Sequence, residues 1–230
     1  MDMPEVSIIT RCRNRLEYTA QVVDAVKRCS DVSYEHIIVD NGSTDGTYEW
    51  FRWMNENTTW YDDTIKYMRI EGNTGDWGGM LQGATIAKGN YIVQLDNDII
   101  PCKGWLSAMI KVLTKSKYKI IMLRRKNVAW KLRPLKSPQN MFGYEVAPVE
   151  RAVACYMMSK ENFKECAAYI PAERGARSKY IMAGLTKHWR GLKPIGKILN
   201  KTCYELQADK ENDINRQKYS PKNKQVWEKI

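Results

Sequence analysis

Histidine is nearly absent from the chain, with two in 230 residues, and the six cysteines are scattered without a CxxC spacing. Zinc knuckles and Cys/His clusters are thereby excluded, and the thiols read as reduced side chains packed like small apolar residues. No uninterrupted apolar run approaches the ~18–20 residues of a bilayer span. The opening "MDMPEVSIIT" lacks the basic region, apolar stretch and small-residue cleavage site of an export signal, so cytoplasm is the expected location. Acidic residues are missing between Ile99 and Tyr144, where eleven Lys/Arg fall. Up to Asp98 the chain carries 9 Lys/Arg against 16 Asp/Glu; beyond it the ratio is 28 to 10. Such a one-signed block points the second half at a polyanionic partner, either nucleic acid or an anionic lipid surface such as the inner membrane face.

What is present is an alternation of short apolar runs with helical patterns. "VSIIT" (Val6–Thr10) and "HIIVD" (His36–Asp40) read as buried parallel strands, and Leu16–Cys29 carries apolar residues at helical spacing between them. Further strands are predicted at Ile65–Ile70 and Asn90–Asp96, with a helix from Gly78 or Gly79 to a stop at Gly89. A helix follows Pro101, and with a fifth strand at Lys119–Leu123 the sheet is expected to be largely complete. Residues 127–153 read as loops and short antiparallel strands, "AVACYMMSKENFKECAAY" as a strand and a helix capped by Ser159, and the polar tail from Lys210 as a surface helix or a partly mobile segment. The length suits a single α/β domain, divided at about 1–126, 127–209 and 210–230.

The run "IVQLDNDII" ends an apolar strand with two carboxylates, Asp96 and Asp98. In a chain with twelve aspartates a DxD triplet arises readily by chance, so its context decides. A preceding apolar strand and a following Pro101 place the pair at the carboxyl edge of a parallel sheet, where open α/β folds bind ligands. Asp40 ends another strand and is expected on the same rim, where three carboxylates need a compensating cation. Hard oxygen donors without a His or Cys cluster favour Mg²⁺ or Mn²⁺, bridging to phosphate. The glycines of "EGNTGDWGGMLQG", Gly72, Gly75, Gly78 and Gly79, leave room for a ligand beside a helix N-terminus. The neighbouring Trp77 is read either as a stacking platform or as a core filler.

Together "VSIITRCRNR", "HIIVDNGSTDGT", "NTGDWGGMLQGATIAKGNYIVQLDNDIIPCKGWL" and "VACYMMSKENF" resemble the family 2 glycosyltransferases of the GT-A fold. The resemblance implies a Rossmann-like, mostly parallel sheet flanked by helices, with a short antiparallel acceptor region and a helical tail. It implies a nucleoside diphosphate sugar donor (UDP, GDP or dTDP) and a divalent metal. Thr10 and Arg11 would line the nucleobase pocket, Asp40 would accept from a base N–H, and Gly75 would sit at the donor. Asp96 would meet the ribose or a metal-bound water, and Asp98 would ligate the metal. Many relatives carry an Arg on the helix after the glycine loop; this chain has Gly79, Met80 and Leu81 there. No clean match exists for the acceptor-activating carboxylate, and Glu173 in "ERGARSKY" is the nearest candidate. His188 is a candidate late metal ligand or a packing residue beside Trp189, and His36 is read as structural.

The resemblance implies that the C-terminal, basic half builds the acceptor side, and there "RRKNVAWKLRPLKSPQNMFGY" mixes Arg and Lys with aromatics. That mixture suits phosphate contacts with base stacking or a lipid interface, so the acceptor is read as a lipid-linked or cell-surface glycan, or a hydroxylated base in DNA. A nucleotidyltransferase is the alternative enzyme, but it would want a glycine-rich loop after the first strand, and "TRCRNRLEY" has no glycine. A non-catalytic nucleotide-sugar-binding module is the third reading.

Overall fold

The structure is a computed structural model that describes residues 3–59, 62–126, 133–168 and 195–206. Four βα units open the chain. Strand β1 (Val6–Cys12), helix α1 (Leu16–Cys29), β2 (Tyr34–Asp40), α2 (Thr47–Asn57), β3 (Ile65–Arg69), α3 (Gly75–Ile86) and β4 (Tyr91–Leu95) lead to a short β5 (Ile99–Ile100) and α4 (Trp105–Lys115). Then come β6 (Ile120–Lys126), the hairpin β7 (Gln139–Met141) and β8 (Tyr144–Pro148), β9 (Cys155–Ser159), α5 (Lys160–Ala168) and β10 (Ile195–Glu205).

The strands form one sheet in the order β3-β2-β1-β4-β9-β6-β10-β8-β7, with β5 paired to β10. From β3 to β4 every pairing is parallel. Strand β9 lies antiparallel between β4 and β6, so β6 and its parallel neighbour β10 run in the same direction as β4. The principal strands therefore share one carboxyl edge. The expectation that the sheet closes at β6 is corrected: β9 enters its centre, and β10, β8 and β7 extend it. The predicted antiparallel strands of the 127–153 region are the β7–β8 hairpin.

Two apolar layers hold the helices to the sheet. Along β1, Ile8 faces the cluster containing Val22 and Val26 of α1 and Leu106 and Met109 of α4. Ile9, one residue on, faces Trp77 and Met80 of α3 and Phe163 of α5 on the other side, as the period of two requires. Trp77 is 2% exposed and packs 5.5 Å from the Phe163 ring, so it is a core filler. Ser159 caps α5 as predicted, its hydroxyl accepting the Asn162 N–H at 3.1 Å. All six cysteines are free.

Helix α3 begins at Gly75, three residues before the predicted start, because its glycines are packing residues. A Cβ on Gly83 would lie 2.7 Å from Ile9 Cγ2 and 3.0 Å from Val39 Cγ2, so the helix can approach β1 and β2 this closely only without side chains there. At Gly89, past the end of α3, a Cβ would meet the β1 backbone at Ser7 N, 2.5 Å away. Backbone cannot step aside as a flexible side chain can. Gly89→Ala is therefore expected to cost about 2 kcal/mol, read in a thermal melt as a fall of roughly 4–8 °C.

Candidate functional site

Strand β4 is buried from Ile92 to Leu95 and delivers the chain to the carboxyl edge, where residues 96–98 turn into β5. The turn is held on both sides. Asp96 N–H donates to the Ala154 carbonyl at 2.8 Å, and Leu206 N–H, just past β10, donates to the Asp98 carbonyl at 2.7 Å. Ala154 adopts φ 64, a left-handed conformation uncommon for a residue with a Cβ, to present that carbonyl.

Three acid–arginine pairs meet here. Asp96 Oδ1 accepts from Arg11 Nη2 at 2.8 Å and from Gln94 Nε2 at 2.8 Å. Asp98 Oδ2 accepts from Arg15 Nη1 at 3.2 Å, and Glu205 Oε2 from Arg125 Nη1 at 2.7 Å. The three arginines, the two aspartates, Asp76, Gln94, Tyr156 and the stretch Ala152–Ala154 line a cleft of about 340 Å³. Burial pushes the Asp96 carboxyl up to about 6; the Arg11 guanidinium opposes this, while Asp98 and Asp76 add to it. Asp98 is likewise raised, first by burial and against the pull of Arg15, with Glu205 contributing. Ionising both aspartates is costly here, and an added positive charge would relieve that cost.

Arg11 is 9% exposed and reaches both Asp96 and the Asp76 carbonyl, 2.7 Å away, on the first turn of α3. Its stem passes over Gly79, where a Cβ would lie 3.0 Å from Arg11 Cγ. The glycine that stands on α3 in place of a side chain thus makes room for a guanidinium arriving from β1. Arg15 reaches the cleft from a strained turn: Asn14 and Arg15 both have positive φ, 59 and 63. The turn is stitched to the β2–α2 loop by Asn14 N–H to Ser43 Oγ at 2.8 Å, Thr44 N–H to Asn14 Oδ1 at 2.8 Å and Leu16 N–H to Asp45 Oδ2 at 3.0 Å.

That loop, "DNGSTDGT", starts at Asp40. Asp40 shares the sheet edge with Asp96 but does not line the cleft: it is fully buried, Oδ1 accepts from Ser43 N–H at 2.8 Å, and Oδ2 accepts from the Tyr67 hydroxyl. Asp40 thus takes its expected place on the edge but is set back from the cleft. Asp76 is the third carboxylate lining the cleft, Glu205 adds its charge near Asp98, and arginines supply compensating charge. Thr10 is buried with its hydroxyl 2.8 Å from His36 Nε2, and Gly75 opens α3 at φ 74 with its carbonyl accepting from Asn41 Nδ2 at 3.3 Å. Glu173 and His188 lie outside the described residues. Glu205 was missed because its strand, "IGKILNKTCYE", is too polar to read as one and its partner Arg125 lies 80 positions away.

Against known proteins, the family model described as Glycosyl transferase family 2 matches residues 7–183. The chain belongs to glycosyl transferase family 2. Among curated family relatives, "Putative teichuronic acid biosynthesis glycosyltransferase TuaG" of Bacillus subtilis (strain 168) is 33% identical over 95 residues, 41% of this chain and 36% of that protein. Two of the solved structures that share the fold illustrate it. One is GalNAc-T7 with UDP, GalNAc and Mn²⁺, with TM-score 0.73 and 12% identity over 90% of this chain and 44% of that one. The other is S. aureus TarS 1-349 in complex with UDP-GlcNAc, with TM-score 0.65 and 17% identity over 95% of this chain and 63% of that one. The match thus spans less than two thirds of each. These likenesses place the mixed sheet and its helices in the GT-A architecture expected of family 2.

Proposed function

We propose that the chain transfers a sugar from a nucleoside diphosphate sugar to an anionic acceptor, or to one carried on an anionic surface, with the diphosphate held over Asp96 and Asp98. The observation that carries this is a cleft at the carboxyl edge of the sheet where two carboxylates are fixed by β4 and three arginines stand around them. The donor set suits a hard divalent ion. Asp96 Oδ2 accepts no hydrogen bond from a described residue, and no group of three ligating side chains occurs among the described residues, so water and diphosphate oxygens would complete the shell. Bound Mn²⁺ or Mg²⁺ would offset charge on the departing nucleoside diphosphate. Asp98 would be the direct ligand and Asp96 its neighbour, while Arg15 and Arg125 supply the positive charge that relatives place on α3. Glu173 is proposed as the base that takes the acceptor proton. Support for UDP as the nucleotide comes from the two solved structures, which hold UDP and UDP-GlcNAc. Support for the acceptor's charge comes from the basic second half of the chain. No helix among the described residues is long and apolar enough to cross a membrane.

A melting screen of UDP-, GDP- and dTDP-sugars with and without Mn²⁺ tests the reading. A true donor at about ten times its Kd raises the Tm by roughly 3–6 °C, and only with the metal. Identical melting curves with all three donors would remove it.

A further inference from the structure

The β7–β8 hairpin turns through Phe142 and Gly143, at φ 56 and φ 91, with Met141 and Tyr144 paired across it. A two-residue turn with both central residues left-handed favours Asn-Gly, since a bulky side chain is strained there. This chain places a phenylalanine in the strained position and leaves it 44% exposed. Its surroundings are basic. Lys115 Nζ lies 5.8 Å from the Phe142 ring centre, and Lys111 Nζ, one helical turn back on α4, lies 5.8 Å from that of Tyr144. All of 133–140, the arm leading into the hairpin, is exposed, including Arg133, Lys136 and Leu135, the last at 49%. Glu145 is the sole acidic residue from Ile99 to Val149, and strand alternation turns it to the face opposite Tyr144.

We infer that this hairpin tip and the lysine face of α4 dock on an anionic phospholipid bilayer, with Phe142 entering the headgroup boundary and Lys111 and Lys115 meeting lipid phosphates. A strained, exposed aromatic with Lys115 beside it and Lys111 one turn away is the arrangement an interfacial contact uses: apolar area for the acyl boundary and cations for the negative surface. Nucleic acid fits less well. A base would stack on the ring face, which Lys115 already approaches, and an exposed Leu135 offers no stacking surface. The inference is independent of the proposed transfer reaction, because docking is measured without donor or acceptor.

Flotation of the purified full chain with vesicles of phosphatidylcholine, alone or with about 30% phosphatidylglycerol, tests it. Binding is expected only to the anionic vesicles. Phe142→Asn restores the side chain the turn prefers, so the melting temperature should hold or rise while partitioning falls about tenfold. Lys111→Glu with Lys115→Glu should lower partitioning by about 30-fold or more. Flotation unchanged in both variants, equal binding to neutral vesicles, or retention on duplex DNA without any flotation would each overturn the inference.

Discussion

Asp98→Ala is expected to lower turnover of a nucleoside diphosphate sugar by about a thousandfold while leaving the protein folded. The activity loss follows from the proposed role: without the carboxylate, nothing fixes the cation where charge develops on the leaving diphosphate, a contribution of several kcal/mol. The fold should survive because the side chain's ion pair with Arg15 is a moderate one at 3.2 Å and its carboxyl is held above its usual range chiefly by burial. Removing a charge that costs free energy to bury leaves stability level or slightly raised. The decisive measurement is Mn²⁺-dependent UDP release by parent and variant, with a thermal melt of each. A variant that keeps more than a tenth of parental turnover would end the case for a metal at Asp98. A variant that loses turnover and also melts early would move Asp98 into the scaffold.

The second large effect concerns acid and His36. This imidazole lies in β2 between β1 and β3, is 1% exposed, has Nδ1 buried without a partner among the described residues, and is pushed down to about 3 by burial. It is neutral when folded, whereas in the unfolded chain it takes a proton near 6.5. The stability it protects is full above pH 6.5 and is lost as pH falls towards 3, because only the unfolded state gains the proton. Between pH 7 and pH 4.5 the loss is about 2–3 kcal/mol. Asp96 and Asp98, raised by burial, act in the opposite direction over the lower part of that range, so the parent curve alone does not isolate the imidazole. Urea unfolding of the parent and of His36→Gln at both pH values does isolate it. The variant should lose about 2–3 kcal/mol less than the parent on acidification, and equal losses would assign the acid sensitivity elsewhere.

The two predictions rest on features that were unequally visible in the sequence. Strands β1, β2, β4 and the Ile120–Leu123 part of β6 were legible because they are buried on both faces and so read as apolar runs. Helices α1 and α4 were legible from their spacing. Helix α2 was not singled out: of "TYEWFRWMNEN" only Thr47 and Phe51 are buried, leaving too narrow an apolar stripe. Helix α3 was read about three residues late at both ends, because Gly75, Gly78 and Gly79 look like loop until the tight contacts of Gly79 and Gly83 are seen, and Gly89 looks like a stop although the helix ends at Ile86. In the site, Asp96 and Asp98 could be found because a strand end is a local signal. Their guanidinium partners could not be assigned, since Arg11 and Arg15 are 85 and 83 positions from the acids they pair with. Glu205 depends on a strand 80 positions from Arg125.

Strand β9 has a consequence for synthesis. Emerging from the ribosome, the chain completes β4 sixty positions before Cys155–Ser159, the segment that occupies one of its sides, begins. Until then a hydrophobic strand edge next to β1 stays unprotected, a template for intermolecular pairing in which β6 is left without its neighbour. Translation stopped anywhere between Lys126 and Cys155 should thus yield an aggregating fragment, although it carries both aspartates and most of the parallel sheet.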